Sequence, residues 1–189
     1  AGPIIPLEIL NSKSLFSLLH KIDLKLAGKP EFGAALLRGA VAYANYARKP
    51  RGGPPDLSEA FEIRYSLCCS REGCRRRVLP PSVRFWERRV YWAPVLFIVT
   101  ALRQGRNPDH TLEQLKGFCG VWRSTVNRWK HYFRALFPQS LAYRRLAGHL
   151  IPLICSDHLP KALLERFCRG APDIETALVN CLQTLALGP

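Results

Sequence analysis

The sequence predicts a mainly α-helical protein that carries a small basic β-hairpin. Three observations lead there. Apolar residues recur at helical spacing through most of the chain. One stretch, "EAFEIRYSLCCSREGCRRRVLPPS" at 59–82, instead alternates Phe61, Ile63, Tyr65 and Leu67, the period of a half-buried strand, and turns back through "CSREGC". Finally, 28 Lys and Arg oppose 14 acids, a formal charge of +14 with a pI near 9.9. Such a chain attracts polyanions, because each neutralised phosphate releases counterions. Arginine outnumbers lysine, and its planar fork suits phosphates and guanine edges.

The bulk composition narrows the class. About half the residues are hydrophobic (48%), enough for a core and too many for intrinsic disorder. The longest apolar run, Val90 to Leu102, falls short of the roughly 18 residues that cross a bilayer. "AGPIIPLEIL" has no basic segment ahead of an apolar one, so no secretory signal is expected. Seven cysteines, an odd number, argue for a reducing cytoplasm rather than a disulfide framework. The expected location is cytoplasmic, on the nucleoid, with no membrane partner.

Residues 12–27 place Leu15, Leu18, Leu19, Ile22 and Leu26 at helical spacing, with Ser12 or Ser14 as cap. After Gly28-Lys29-Pro30, "EFGAALLRGAVAYANYA" reads as a second, Ala-rich helix. "RKPRGGPPDL" at 48–57 is a basic loop. The hairpin of 60–80 follows. Residues 82–105 read as helix capped by Ser82, with Pro94 kinking it or starting a new one and Gly105 ending it. Two more helices, "HTLEQLKGFC" and "WRSTVNRWKHYFRALF", meet at Gly120-Val121, and Pro138 stops the second. The tail offers three short helices broken by Pro152, Pro160, Gly170 and Pro172. Four segments result: 1–47, helical; 48–82, basic loop and ribbon-like hairpin; 83–137, a helix-turn-helix; and 138–189, helical.

"TLEQLKGFCGVWRSTVNRWKHYF" carries the functional signal. A helix-turn-helix needs apolar anchors at fixed positions and a glycine where the turn demands positive φ. Leu115 and Cys119 face inward from the first helix, Gly120 opens the turn, Val121 plugs it, and Val126 with Trp129 lines the second helix. The outer face keeps Arg123, Ser124, Thr125, Asn127, Arg128 and Lys130. The first five are the expected base readers, since these side chains bond base edges in a major groove. Lys130, Arg48, Lys49, Arg51, Arg75, Arg76, Arg77, Arg84, Arg88 and Arg89 are expected along the DNA backbone, where contacts set register. Trp122 stands where a Ser or Thr cap is usual.

The cysteines of the hairpin raise the question of a metal. Zinc in a ribbon takes four ligands from two knuckles. Cys69 and Cys74 form one loose pair, and Cys68 points to the other side of the strand. Upstream "GAALLRGAVAYANYA" offers no cysteine or histidine, and Cys155 with His158 is remote. No cofactor is expected, and zinc is expected to be absent or substoichiometric. A hairpin held by Phe61, Tyr65 and Trp86 is the alternative.

The stretch from "YARKPRGG" through "PPSVRFWERRVYW", together with the helix-turn-helix, resembles a family of small bacterial zinc-ribbon proteins associated with mobile elements. These are similar to the N-terminal DNA-binding parts of transposases. The likeness spans roughly residues 45–137, and "RKPRG", "CC…GCRRR" and "PPSVRF" are its marks. It implies DNA binding and a zinc site completed by an upstream C-x2-C, which this chain lacks.

Catalysis is not expected. Two-metal strand transfer needs three converging carboxylates, but Asp23, Asp56, Asp109, Asp157 and Asp173 fall in expected loops or caps. Tyr132, between His131 and Phe133 with Arg134 beyond, lies within the second helix itself. The reading is a sequence-specific double-stranded DNA-binding protein that recognises or regulates a mobile element. Its rivals are an RNA or single-strand binding subunit and a non-catalytic adaptor for a recombinase or transposase.

Overall fold

Ser12 opens the first long helix, its Oγ accepting the Leu15 N–H at 3.3 Å, which satisfies one of the donors a helix start leaves orphaned. The computed structural model describes residues 5–37, 39–74, 76–86, 89–104 and 110–187, apart from the side chains of 30, 32, 35, 36, 84, 85 and 187. Arg75, Arg88, Gly105, Asp109 and the Arg84 side chain therefore lie outside the described residues. Helix α1 (Lys13–Ala27) buries Leu15, Phe16, Leu19, Asp23 and Ala27. Leu18, expected inward, is 43% exposed. The buried stripe follows Phe16, which meets Trp92 edge-on at 5.0 Å.

The second helix is shorter than expected. Helix α2 spans Pro30–Leu37, and strands β1 (Val41–Tyr43) and β2 (Tyr46–Ala47) take the remainder. Val41 and Tyr43 suit a pleated surface, and a strand edge is there to receive them, so pairing overrides the helix propensity of the alanines. β1 runs antiparallel to β4 (Leu67–Cys69), with Val41 opposite Cys69 and Tyr43 opposite Leu67. β4 also pairs with β5 (Arg77–Val78), giving the order β1-β4-β5. The expected hairpin is thus β4–β5, while its first part, β3 (Ile63–Arg64), pairs with β2 instead. Helix α2 packs on the three-stranded sheet.

Residues 83–86 and 89–92 correct the expectation of a helix from Ser82. They form a second hairpin, β6 (Val83–Trp86) and β7 (Arg89–Trp92), with Val83 opposite Trp92. Valines and aromatics favour strands. Pro94, whose ring bars a helix from running through it, sits in the first turn of a new one, α3 (Ala93–Leu102). Every residue of α3 is buried, as befits a helix apolar all round. It packs against β6, β7, α5 and α7.

The helical half follows: α4 (Leu112–Cys119), α5 (Arg123–His131), α6 (Leu141–Ala147), α7 (Lys161–Cys168) and α8 (Ile174–Leu187). The tail holds three helices as expected. One core cluster runs from Ile5 to Leu185. The fold is mainly helical with small sheets. Among the described residues no helix is long and apolar enough to cross a membrane.

Candidate nucleic-acid interface

Thr111 starts α4 with a reciprocal cap. Its Oγ1 accepts the Gln114 N–H at 3.2 Å, and Gln114 Oε1 accepts the Thr111 N–H at 2.8 Å. Leu115 is buried, and the half-buried Cys119 donates its thiol to the Leu115 carbonyl at 3.0 Å. Burial pushes that thiol up to about 11, so it packs as a neutral small residue. Gly120 then adopts φ 66°, ψ 20° and returns its N–H to Lys116 at 2.9 Å, a left-handed helix end that a Cβ would penalise. Val121 is buried.

Helix α5 begins at Trp122 with no side-chain cap. Val126 and Trp129 are fully buried, and Tyr91 of β7 meets Trp129 edge-on at 4.9 Å. A π-helical turn, Tyr132–Leu136, continues it. Trp129, Phe133 and Phe137 are spaced by four, slightly more than an α-turn. The wider turn keeps all three on one buried line, with Phe133 and Phe137 rings 5.1 Å apart. Tyr132 packs on Trp86 at 5.4 Å and on both phenylalanines.

Arg123, Ser124, Asn127, Arg128 and Lys130 are exposed. Thr125 is not. It is only 3% exposed, because at 100° per residue it lies one turn before Trp129 and shares its inner face. It leaves the set of base readers. Asn127 and Lys130 line a groove of about 830 Å³ whose far wall is Asp157 and Leu159. Arg134 closes it with an ion pair to Asp157 at 2.7 Å.

The basic loop sits beside the turn. Arg48, Lys49 and Arg51 are exposed, yet their backbone is anchored. Arg48 N–H donates to Glu62 at 2.7 Å, Arg51 N–H to Val90 at 2.9 Å, and Trp92 N–H to Arg51 at 3.2 Å. Lys49 pairs with Glu62 at 2.8 Å. Gly52 (φ 86°) and Gly53 permit this approach: a Cβ on Gly53 would stand 2.5 Å from Trp92 Nε1. Lys49, Arg51, Phe61, Trp92, Cys119 and Gly120 share one cleft of about 500 Å³. Loop and α5 are thus held on the two ends of one relay, Arg51 on β7 and Tyr91 on Trp129. Arg89 is exposed at the start of β7. Arg76 and Arg77, also exposed, border a different groove, beside Leu182 and Leu185 of α8.

Of the three hairpin thiols, Cys69 and Cys74 meet and Cys68 does not join them. Cys68 and Cys69 are neighbours on β4, so their side chains leave opposite faces. The Arg71 N–H and guanidinium, with a bond from Cys74, hold the Cys69 thiol below its usual range. Among the described residues no group of three His, Cys, Asp or Glu could hold a metal ion. Among the described residues Cys68, Cys69, Cys74, Cys119, Cys155 and Cys168 form no disulfide, and the exposed Cys155 lies on the approach to the 3-10 turn Ser156–His158.

Sequence reasoning missed a polar cluster under the sheets. Asp23, expected in a loop or cap, lies inside α1 and is buried. It accepts the Ser82 N–H at 3.3 Å and the Ser82 hydroxyl, so Ser82 is no helix cap. Buried Arg64 lies over the Trp92 ring at 5.1 Å, its Nε and Nη2 without a hydrogen-bond partner. Burial raises Asp23 to about 7, against the Ser82 bonds and the pull of Arg64. His20, 4.6 Å from the Phe61 ring, is lowered by burial and by Arg64. The only sequence signal was the spacing Leu15, Leu19, Asp23, Ala27 on one helix face.

Comparison with protein-family models, with curated proteins and with solved structures finds no match to this chain. Function is therefore argued from the residues.

Proposed function

We propose that the protein binds double-stranded DNA sequence-specifically, with α5 in the major groove. The observation that carries this is the division of α5. Thr125, Val126 and Trp129 are buried behind a left-handed glycine turn, while Arg123, Ser124, Asn127, Arg128 and Lys130 are presented outward. Helix α3, packed across α5, supports the reading as a helix-turn-helix. Arg123, Asn127 and Arg128 read base edges, with Ser124 beside them. Lys130, Arg48, Lys49, Arg51 and Arg89 hold phosphates around the groove, and Arg76 and Arg77 extend the basic surface. The biological role fits the resemblance of residues 45–137: recognition or regulation of a mobile element, with a recombinase or transposase as the protein partner.

Fluorescence anisotropy with a labelled duplex across a salt series tests it. Affinity falls about 0.9 log units per log unit of salt for each phosphate neutralised. Replacing Arg76 and Arg77 together with Ala weakens binding to every duplex alike and lowers that slope by about two. A salt-independent affinity contradicts the reading.

A further inference from the structure

Trp122 is out of place by two physical measures. It is 61% exposed, whereas indoles are among the most buried side chains on average. It also fills the N-cap of α5 without bonding a helix N–H, where Ser, Thr, Asp or Asn would stabilise the helix. The other tryptophans are embedded: Trp92 and Trp129 are buried and Trp86 is half-buried against Tyr132. Trp122 is nevertheless held in position. Lys116, one turn back on α4, sets its ammonium 4.2 Å from the ring centroid, a cation–π contact that covers one face of the indole.

The surroundings select what the open indole takes. Its exposed neighbours along the chain are Gly120, Arg123 and Ser124, and none is a large apolar residue. A partner helix or a hydrophobic peptide would need more apolar surface than one ring amid cations. A flat ring attached to phosphates matches both features, since it stacks on the indole while Lys116 and Arg123 meet its backbone.

We infer that Trp122 is a stacking residue for an unpaired nucleobase, and that the preferred substrate is duplex DNA carrying a single-stranded step or an everted base next to the site read by α5. This deepens the duplex binding proposed above and rests on it. Its position fits. Trp122 immediately precedes Arg123, the first base reader of α5, so the stacked base lies at the edge of the major-groove contact. The ring acts as a wall rather than a reader, because every base offers a π-face.

The test compares two labelled probes by anisotropy at one salt concentration: a blunt duplex, and the same duplex with two unpaired nucleotides at one end. The wild-type chain is expected to bind both, and the stepped probe between about fivefold and about 150-fold more tightly, the range of one stacked base. Trp122→Ala should keep the blunt-duplex affinity and lose the preference, and Trp122→Phe should retain most of it. Trp122 is exposed, so both variants should melt with the wild type, and stacking should quench the indole fluorescence in the wild type but not in Trp122→Ala. Equal affinity for both probes, with salt-dependent duplex binding intact, overturns the role of Trp122 and leaves the duplex reading standing. A preference that survives in Trp122→Ala overturns it too. Binding to neither probe overturns the duplex reading and this inference with it.

Discussion

The strand-rich part of the molecule, up to Trp92, and the helical part from Ala93 onward bury different chemistry. Among the described residues, the buried polar groups of the first are Asp23, Arg64, Ser66 and Ser82. Those of the second include two threonines, one of which, Thr100, satisfies itself on the Leu96 carbonyl at 2.6 Å, and the buried Arg103 Nε and Trp129 Nε1. The helical part is otherwise closed by aromatic and aliphatic packing, such as Trp129 on Tyr91 and Phe133 on Phe97. Apolar packing has no protons to exchange, so its stability is indifferent to pH. A buried carboxyl beside a half-satisfied guanidinium is not indifferent. The unit that would read bases is therefore packed on the insensitive, apolar side of the one core, while the basic loop hangs from the side that adjoins Asp23 and Arg64.

The harshest way to break this contrast is Trp129→Ala. It removes a fully buried indole from between β7 and α5 and should cost about 3–5 kcal/mol. DNA binding should go with it, and the loss measured by urea melts should be the same at pH 5 and pH 8.

A smaller effect sharpens the other side. Asp23 moves from 3.8 to about 7 on folding. A carboxyl raised in the folded state contributes stability that is fully present below its unfolded value and lost as pH rises through the folded one. The loss is about 4 kcal/mol at most between about pH 4 and pH 8, at 1.36 kcal/mol per pKa unit. His20, lowered on folding, works in the opposite sense: its contribution is present above its unfolded value and lost as pH falls below it. Arg64 faces both groups, so the wild-type slope is a sum. Asp23→Asn isolates the carboxyl: its melts should lose the decline toward pH 8 that the wild type shows. An unchanged pH profile would remove Asp23 as its source.

How much of this was written in local sequence differs in the same way. The α4–α5 unit was legible because its signals are short-range: a glycine at 120 and apolar residues at helical intervals on either side of it. Thr125, a residue on the border between two faces, is buried where the outer face was expected. The strands were less legible. Val41–Tyr43 lies among alanines and becomes a strand only because β4, more than twenty residues on, offers an edge. Val83–Trp92 is apolar enough for either period, and its hairpin is decided by where Val83 meets Trp92. Asp23 finds Ser82 across 59 residues, a separation no local pattern reports. The relay that places the "RKPRGG" loop beside Gly120 is likewise tertiary.

The central claim is that the outward face of α5 reads bases, and binding-site selection from random duplexes tests it most directly. The wild-type chain should enrich a defined site. Asn127→Ala and Arg128→Ala should each relax the preference at one or two positions of that site, by about 1–3 kcal/mol of discrimination, while affinity for unrelated duplexes stays nearly the same. If both variants select the wild-type site with undiminished preference, α5 is not the reading helix.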